Sequence, residues 1–224
     1  GHTVALHGYS HTYSEVYSSA DACLDNFRKI QEQVYETIGK KPNIIRFPGG
    51  SSNTISEKYC VGVMTEVTKK ALDEGFRYFD WNVDSDDAGH AKTRDDVYKN
   101  VTSKIKPGRE NVVLMHDFSH NHKTLEALSD IIDYGLQNGY VFRKITVASK
   151  ESRIFEFYKN DLKKLGRKHG QIRMNVIEYT CSFPKIDPFK MAQDLVRDGF
   201  KVVFDDSSIS QKENEQKKKK VYNF

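Results

Sequence analysis

Residues 43–50, Asn-Ile-Ile-Arg-Phe-Pro-Gly-Gly, predict the fold class of this chain. The apolar run at 43–47 is typical of a short buried strand, and the proline and two glycines that follow it end that strand. On either side, residues 21–38 and 61–75 carry apolar side chains at helical spacing. A strand between two helices of this length is typical of a parallel βαβ unit. The sequence therefore predicts an α/β fold.

The alternation of short strands and longer helices extends outward from this stretch in both directions. Four more strands are predicted before residue 150, at residues 3–6, 78–83, 111–115 and 140–145. Further helices are predicted at 93–101, which opens with the capping sequence Thr93-Arg94-Asp95-Asp96, and at 124–137. Five strands are fewer than a full (β/α) barrel contains. We therefore expect residues 1–147 to form a barrel or sheet with members missing.

A domain boundary is predicted at residues 148–152, which are polar and lack an apolar pattern. Beyond it the sequence predicts helix, strand, helix and strand in turn, at residues 153–165, 173–180, 188–199 and 201–204. Residues 148–224 are therefore expected to form a small α/β appendage. Its charged, low-complexity end, from Gln211 to Lys220, is predicted to be mobile.

Composition argues against several classes of protein. The 224 residues are 38% hydrophobic, enough for a packed core, while the mean hydropathy is −0.67 and no apolar run approaches 18 residues. A membrane-spanning helix is therefore not expected. The scattered cysteines Cys23, Cys60 and Cys181 do not fit a disulfide framework. The sequence shows no basic-then-apolar segment typical of an export signal. Part of the net charge of +4 lies in Lys217 to Lys220. This lysine run is interpreted more simply as a solvated tail than as a nucleic-acid-binding module.

Polar side chains follow four of the five predicted strands at the same end. His7 and His11 follow the first strand, Arg46 ends the second, residues 80–87 are rich in aspartate after the third, and His116 ends the fourth. In parallel α/β folds, the carboxyl ends of the strands meet at one rim, where active sites gather. We therefore expect these side chains to share one site.

The spacing of His7 and His11 would place both imidazoles on one side of a helical turn, where they could chelate one zinc ion. Two histidines do not complete a zinc site, and capping or packing roles remain open for both. His116 could equally bond a neighbouring carbonyl, and Arg46 could pair with an exposed acid. Trp81 could be ordinary core.

A second group of possible metal ligands follows the fourth predicted strand. It comprises His116, Asp117, His120 and His122. Residues 119–122 also fit a loop that runs into a helix cap, and we give the metal cluster less weight for that reason.

The four rim segments, in this order, resemble the motifs of the polysaccharide deacetylase family, the NodB homology domain of carbohydrate esterase family four. Residues 1–11 (GHTVALHGYSH) are similar to the family's His-x-x-x-His metal motif, and residues 44–53 (IIRFPGGSSN) to its arginine–proline motif. Residues 79–89 (FDWNVDSDDAG) resemble the next motif, with Ala88 where the family has tryptophan. Residues 111–117 (NVVLMHD) resemble the last, with a leucine two positions before a histidine.

The resemblance implies a distorted (β/α) barrel that removes N-acetyl groups from peptidoglycan, chitin or a similar polysaccharide with zinc or another divalent ion. It implies that His7 and His11 are metal ligands and that Arg46 orients the catalytic base. It further implies that Asp87 holds and tunes His116, the general acid that protonates the leaving amine.

The resemblance also assigns substrate-binding roles and a location. The backbone at Gly49 would receive the oxyanion, Leu114 would line the acetyl pocket, and Trp81 would lie in the substrate groove. Members of the family usually act outside the bacterial cell or at its wall, so an extracellular or wall-associated protein with a polysaccharide partner is expected.

The family's first motif, Thr-Phe-Asp-Asp-Gly, supplies the base and the third metal ligand, and it does not precede His7 in this sequence. These groups would lie upstream of Gly1, be absent, or come from Asp205 or Asp206, where residues 203–207 (VFDDS) superficially resemble the motif. The simpler reading of those aspartates is that they open a turn. If the base is absent, the alternative function is a non-catalytic glycan-binding or scaffold domain.

Overall fold

Helices dominate the computed structural model, which describes residues 1–150, 152–182 and 186–204. The helices in these ranges are α1 (Tyr13–Val16), α2 (Ala20–Ile38), α3 (Val63–Asp73), α4 (Arg94–Thr102), α5 (His122–Gln137), α6 (Ile154–His169), α7 (Met174–Ser182) and α8 (Pro188–Arg197). A 3₁₀ turn spans Ile55–Lys58. None of these helices is both long and apolar enough to cross a bilayer.

The strands are short and parallel. They are β1 (Ile44–Ile45), β2 (Arg77–Tyr78), β3 (Val83–Asp84), β4 (Val113–Leu114), β5 (Ile172–Arg173) and β6 (Val202–Val203). β1 pairs with β2, β3 with β4 and β5 with β6, each in parallel register. A single parallel bridge joins Leu6 to Ile45. The predicted α/β class with parallel pairing is confirmed, and the closure of a barrel stays a prediction.

Several predicted strands differ from those observed. Residues 3–6 contribute only the bridge at Leu6, and residues 78–83 divide between the ends of β2 and β3. The strand predicted at 140–145 is wrong, because these residues have no strand partner within the described chain and Val141 and Phe142 are largely exposed. A segment with strand-forming residues becomes a strand only where a neighbouring strand pairs with its backbone.

The helices predicted before residue 150 are confirmed, with ends fixed by local hydrogen bonds. Ser19 caps α2 through the Ala22 N–H at 3.0 Å, and Gly39 ends that helix in the left-handed conformation. In α4 the side chains of Thr93 and Asp96 form the reciprocal capping box that the sequence indicates.

The strand predicted at 173–180 is wrong. Only Ile172–Arg173 is a strand, and Met174–Ser182 is helix α7. The buried residues of α7 are Met174, Ile177 and Cys181, spaced by three and four, which is the period of a helix face. The β-branched residues between them do not outweigh that period.

The described residues from 152 onward, called here the C-terminal unit, have their own hydrophobic cluster. Leu162 of α6, Ile177 of α7 and Leu195 of α8 are its fully buried centre. From the rest of the chain, Trp81 packs against this cluster. Cys23, Cys60 and Cys181 are free thiols in the structure.

Candidate active site

A cavity of about 280 Å³ brings together most of the side chains that the sequence predicts to be functional. The predicted residues that line it are His7, His11, Arg46, Gly49, Trp81, Leu114 and His116. Asp87 does not line the cavity but lies buried behind His116, with 1% of its surface exposed. The expectation that the strand ends share one site therefore agrees with the geometry.

His7 and His11 form the histidine pair of the cavity, with ring centroids 5.1 Å apart. The His7 Nδ1 atom lies 2.7 Å from the Arg46 carbonyl oxygen, so the Nδ1–H tautomer donates there and leaves Nε2 free to bind an ion. Burial, with the Arg46 cation as the next cause, lowers the pKa of His7 to about 4. The imidazole is therefore neutral at pH 7, which is the form that binds metal.

Arg46 brings a positive charge to the same cavity. Its guanidinium lies over the Trp81 ring, 5.9 Å from the centroid. Burial lowers the pKa of Arg46 and the carboxylates of Asp80 and Asp84 oppose that effect, so the group stays cationic at neutral pH. In the part of the chain that the structure describes, no carboxylate forms an ion pair with it.

The loop after β1, residues 48–50, called here the Gly49 loop, lies against Tyr13 of α1 and Tyr17 at the end of that helix. The buried Tyr17 hydroxyl donates to the Pro48 carbonyl at 2.6 Å. Gly49 has φ of 76°, and a Cβ there would lie 2.9 Å from the Tyr13 hydroxyl. Only glycine meets both the conformation and the close approach without strain, so the Gly49 backbone can face the cavity.

Asp87 and His116 form a hydrogen-bonded pair at the other side of the cavity. One Asp87 carboxylate oxygen accepts from the His116 Nδ1–H at 2.7 Å, and the other accepts from the His116 backbone N–H, the Asn121 amide and the Thr124 hydroxyl. Burial raises the pKa of Asp87, but these donors outweigh burial and hold it well below its usual range. The carboxylate is therefore ionised, and it fixes the tautomer of His116.

Sequence reasoning missed the two side chains that complete this network. Asn121 is the N-cap of α5 and Thr124 lies in its first turn. The helix predicted to start near residues 119–124 indicated a cap at this position. Only the fold shows that the side chains of Asn121 and Thr124 donate hydrogen bonds to Asp87. Tyr13, Asn53, Lys104, Ile154 and Tyr158 also line the cavity without having been predicted.

The second predicted metal cluster is not supported. In the described ranges, no group of three or more histidine, cysteine, aspartate or glutamate side chains is placed to hold an ion. Instead, His116 is engaged by Asp87, and His122 is the first residue of α5. The same result means that no third protein ligand joins His7 and His11 in those ranges. Asp205 and Asp206 lie outside the described residues.

Comparison with known proteins gives consistent matches. A family model described as polysaccharide deacetylase matches residues 1–61. The solved catalytic domain of a peptidoglycan N-acetylglucosamine deacetylase from Eubacterium rectale is 39% identical, with a TM-score of 0.64, and the match covers 68% of this chain and 69% of that one. A pseudoenzyme of carbohydrate esterase family 4 from Bacillus anthracis is 28% identical, with a TM-score of 0.50, over 66% of this chain and 46% of its own.

Among curated proteins, a peptidoglycan-N-acetylglucosamine deacetylase from Bacillus cereus is 28% identical over 148 residues. That match covers 63% of this chain and 50% of the relative. The chain spans about half the length of the curated relatives it matches.

Proposed function

The chain belongs to the polysaccharide deacetylase family, and on that basis we propose that it hydrolyses N-acetyl groups of an N-acetylglucosamine-containing polysaccharide such as peptidoglycan. The observation that carries the proposal is the meeting of the His7–His11 pair and the Asp87–His116 pair at one cavity. Deacetylation needs an activated water and a protonated leaving amine, and these two pairs suit those two tasks.

The donor set fits a zinc ion in part. Two imidazoles that line one cavity are suited to bind zinc, and the hydrogen bond from the neutral His7 to the Arg46 carbonyl supplies the outer contact that such ligands usually make. When bound, zinc supplies Lewis-acid polarisation of the acetamide carbonyl and a lowered pKa of water. We propose His7 and His11 as the ligands that this chain contributes.

We propose His116 as the general acid. With Nδ1 bonded to Asp87, the Nε2 atom of the cavity-facing ring is free to carry the second proton. The ionised Asp87 carboxylate stabilises the imidazolium that donates this proton to the departing amine nitrogen. A positioned acid of this kind contributes about 10²–10⁴-fold to rate.

The remaining cavity residues suit substrate binding and charge stabilisation. The Gly49 N–H can donate to the oxygen that becomes negative, because no acceptor within the described chain takes it. Leu114, which is 8% exposed, offers an apolar contact for the acetyl methyl group. We propose that Arg46 orients a carboxylate base and that Trp81 contacts the sugar.

Acetate release tests the proposed function. The full chain, supplied with zinc and an N-acetylglucosamine tetramer, is expected to release acetate, and His116→Ala is expected to slow release by about 10²-fold or more. Lys168→Ala, on the far turn of α6, serves as the matched control. A folded, zinc-loaded chain that releases no acetate would contradict the proposal.

A second candidate is a glycan-binding domain without turnover. It is favoured by the likeness to a pseudoenzyme and by Arg46, which has no carboxylate partner in the described residues. On this hypothesis the wild-type chain binds the tetramer without releasing acetate, and His7→Ala leaves that binding intact. Acetate release by the wild type would reject it, and so would loss of tetramer binding in His7→Ala.

We also propose that the protein acts at or outside the bacterial cell wall, where the named substrates of its relatives are found. A distorted, incomplete (β/α) barrel is the architecture we infer for residues 1–147. The parallel pairing of β1 with β2 and of β3 with β4 supports it.

A further inference from the structure

The C-terminal unit forms part of the wall of the cavity that holds the histidines. Ile154 and Tyr158 of α6 both line it. They are four residues apart, so they lie on the same face of the first turns of that helix. Every motif that carries the family resemblance ends before residue 118, so this wall is added to the site by a different part of the chain.

Hydrogen bonds to Asp80 fix the start of α6 beside the cavity. The Asp80 backbone N–H donates to the Ser152 carbonyl at 2.7 Å, and the Ile154 N–H donates to the Asp80 carboxylate at 3.1 Å. The same buried carboxylate accepts from the N–H and hydroxyl of Ser51, which follows the Gly49 loop by one residue. Next to these bonds, the Arg153 guanidinium lies 4.1 Å from the centroid of the Tyr78 ring. The position of α6 relative to the cavity is therefore set by several contacts and not by one.

Trp81 is held between the Gly49 loop and the C-terminal unit. Its indole N–H donates to Asp84 at 3.2 Å, and its ring packs against the cluster of the C-terminal unit. A Cβ at Gly50 would come within 3.2 Å of that ring. The indole therefore has a fixed orientation, and it lines the cavity together with Tyr158.

The Tyr158 ring is packed in place, while its hydroxyl makes no hydrogen bond within the described residues. The ring packs against the C-terminal cluster and makes an edge contact with Phe157, with centroids 5.3 Å apart. Burial raises the pKa of Tyr158, with Asp84 as the next cause, so the hydroxyl stays protonated and can donate. Neither a donor nor an acceptor for it is found among the described residues. A half-buried ring with a free hydroxyl in a cavity is suited to a ligand that has both apolar faces and polar edges.

We propose that Tyr158 and Trp81 form a subsite for a pyranose ring of the polysaccharide, so that the C-terminal unit takes part in substrate selection. A pyranose presents C–H groups on its faces, which suit aromatic rings, and hydroxyls at its edges, one of which can accept from Tyr158. The inference rests on the proposed function, because it takes the glycan as the ligand. It makes Tyr158 a specificity-determining residue that contacts substrate but performs no chemistry.

The test is calorimetric titration of the full chain with an N-acetylglucosamine tetramer. Tyr158→Phe removes one oxygen atom and is expected to weaken binding about threefold to tenfold, the range for one hydrogen bond. Tyr158→Ala removes the ring as well and is expected to weaken binding further. Tyr179→Phe and Tyr179→Ala are the matched controls, since Tyr179 belongs to the same unit but is 83% exposed, and both are expected to bind as the wild type does. If Tyr158→Ala fails to fold, Tyr158→Phe decides alone.

Acetate release by the wild type, measured in parallel, separates this inference from the proposed function. If Tyr158→Phe and every other folded Tyr158 variant bind the tetramer as tightly as the wild type does, the subsite is overturned, even if acetate is released. The absence of tetramer binding by the wild type would overturn it as well. Binding that depends on Tyr158 without any acetate release would support the subsite and contradict only the deacetylase activity.

Discussion

At the scale of single residues, the best-defined feature is the Asp87 carboxylate, which accepts four hydrogen bonds while almost fully buried. The family resemblance implied that Asp87 holds His116, and the structure shows the hydrogen bond between the two side chains. The network also depends on Asn121 and Thr124 at the start of α5, and the Asn121 amide also donates to the His116 carbonyl.

The first prediction concerns the pH dependence of stability. Because the pKa of Asp87 is lowered in the folded protein, the stability that it contributes is full above the unfolded pKa of about 4 and is lost as pH falls towards the folded value. The free energy of unfolding of the wild type should therefore fall more steeply below about pH 4 than that of Asp87→Asn. Urea unfolding of both proteins at several pH values measures this difference. Parallel curves would contradict the assigned hydrogen bonds.

A second prediction concerns Gly49. Gly49→Ala places a Cβ at a φ of 76° and 2.9 Å from the Tyr13 hydroxyl, so we expect a loss of about 1 kcal/mol or more in the free energy of unfolding. The double variant Gly49→Ala/Tyr13→Phe lacks the contact with the Tyr13 hydroxyl but keeps the backbone strain. It should recover part of the lost free energy of unfolding. Thermal unfolding compares these two variants with the wild type. Gly108→Ala, also at positive φ but with no neighbour within 4 Å of its Cβ, isolates the backbone contribution.

At the scale of elements, the sequence predicts helices well and strands poorly. Helices are indicated by local features of the sequence, namely capping residues and apolar spacing. Ser19 and the Thr93–Asp96 capping box are examples. The observed strands are two residues long, and their existence depends on partners distant in the chain. This is why β-branched residues at 140–145 form no strand and those at 174–180 belong to α7.

A third prediction tests the anchoring of α6. Asp80→Ala removes the acceptor of the Ile154 N–H and of both Ser51 donors, so the first turn of α6 should exchange its amide hydrogens faster. Hydrogen exchange followed by mass spectrometry is expected to show a rise at residues 154–158 and none in α4. Lys164→Ala, at a side chain of α6 that is 73% exposed, is the control. Unchanged exchange at residues 154–158 would show that Asp80 does not fix the helix.

At the scale of the whole molecule, the rim motifs predicted which side chains come together, because parallel strands bring their carboxyl ends to one side. His7, His11, Arg46 and His116 lie as far apart as 109 positions in sequence yet line one cavity. The presence of the C-terminal unit in the cavity wall could not be predicted. Nothing in the pattern of α6 signals that its first turns, with Ile154 and Tyr158, face the cavity, since that depends on how the unit docks at Asp80.

The central claim is that an ion held by His7 and His11 shares one cavity with His116. The most direct measurement is nuclear magnetic resonance of the histidine-labelled chain during titration with Co²⁺, a paramagnetic substitute for zinc. The ring signals of His7, His11 and His116 are expected to shift or broaden together, while His169, at the far end of α6, stays unchanged. A bound ion that perturbs His7 and His11 but leaves His116 as unaffected as His169 would contradict the claim, as would perturbation of neither His7 nor His11.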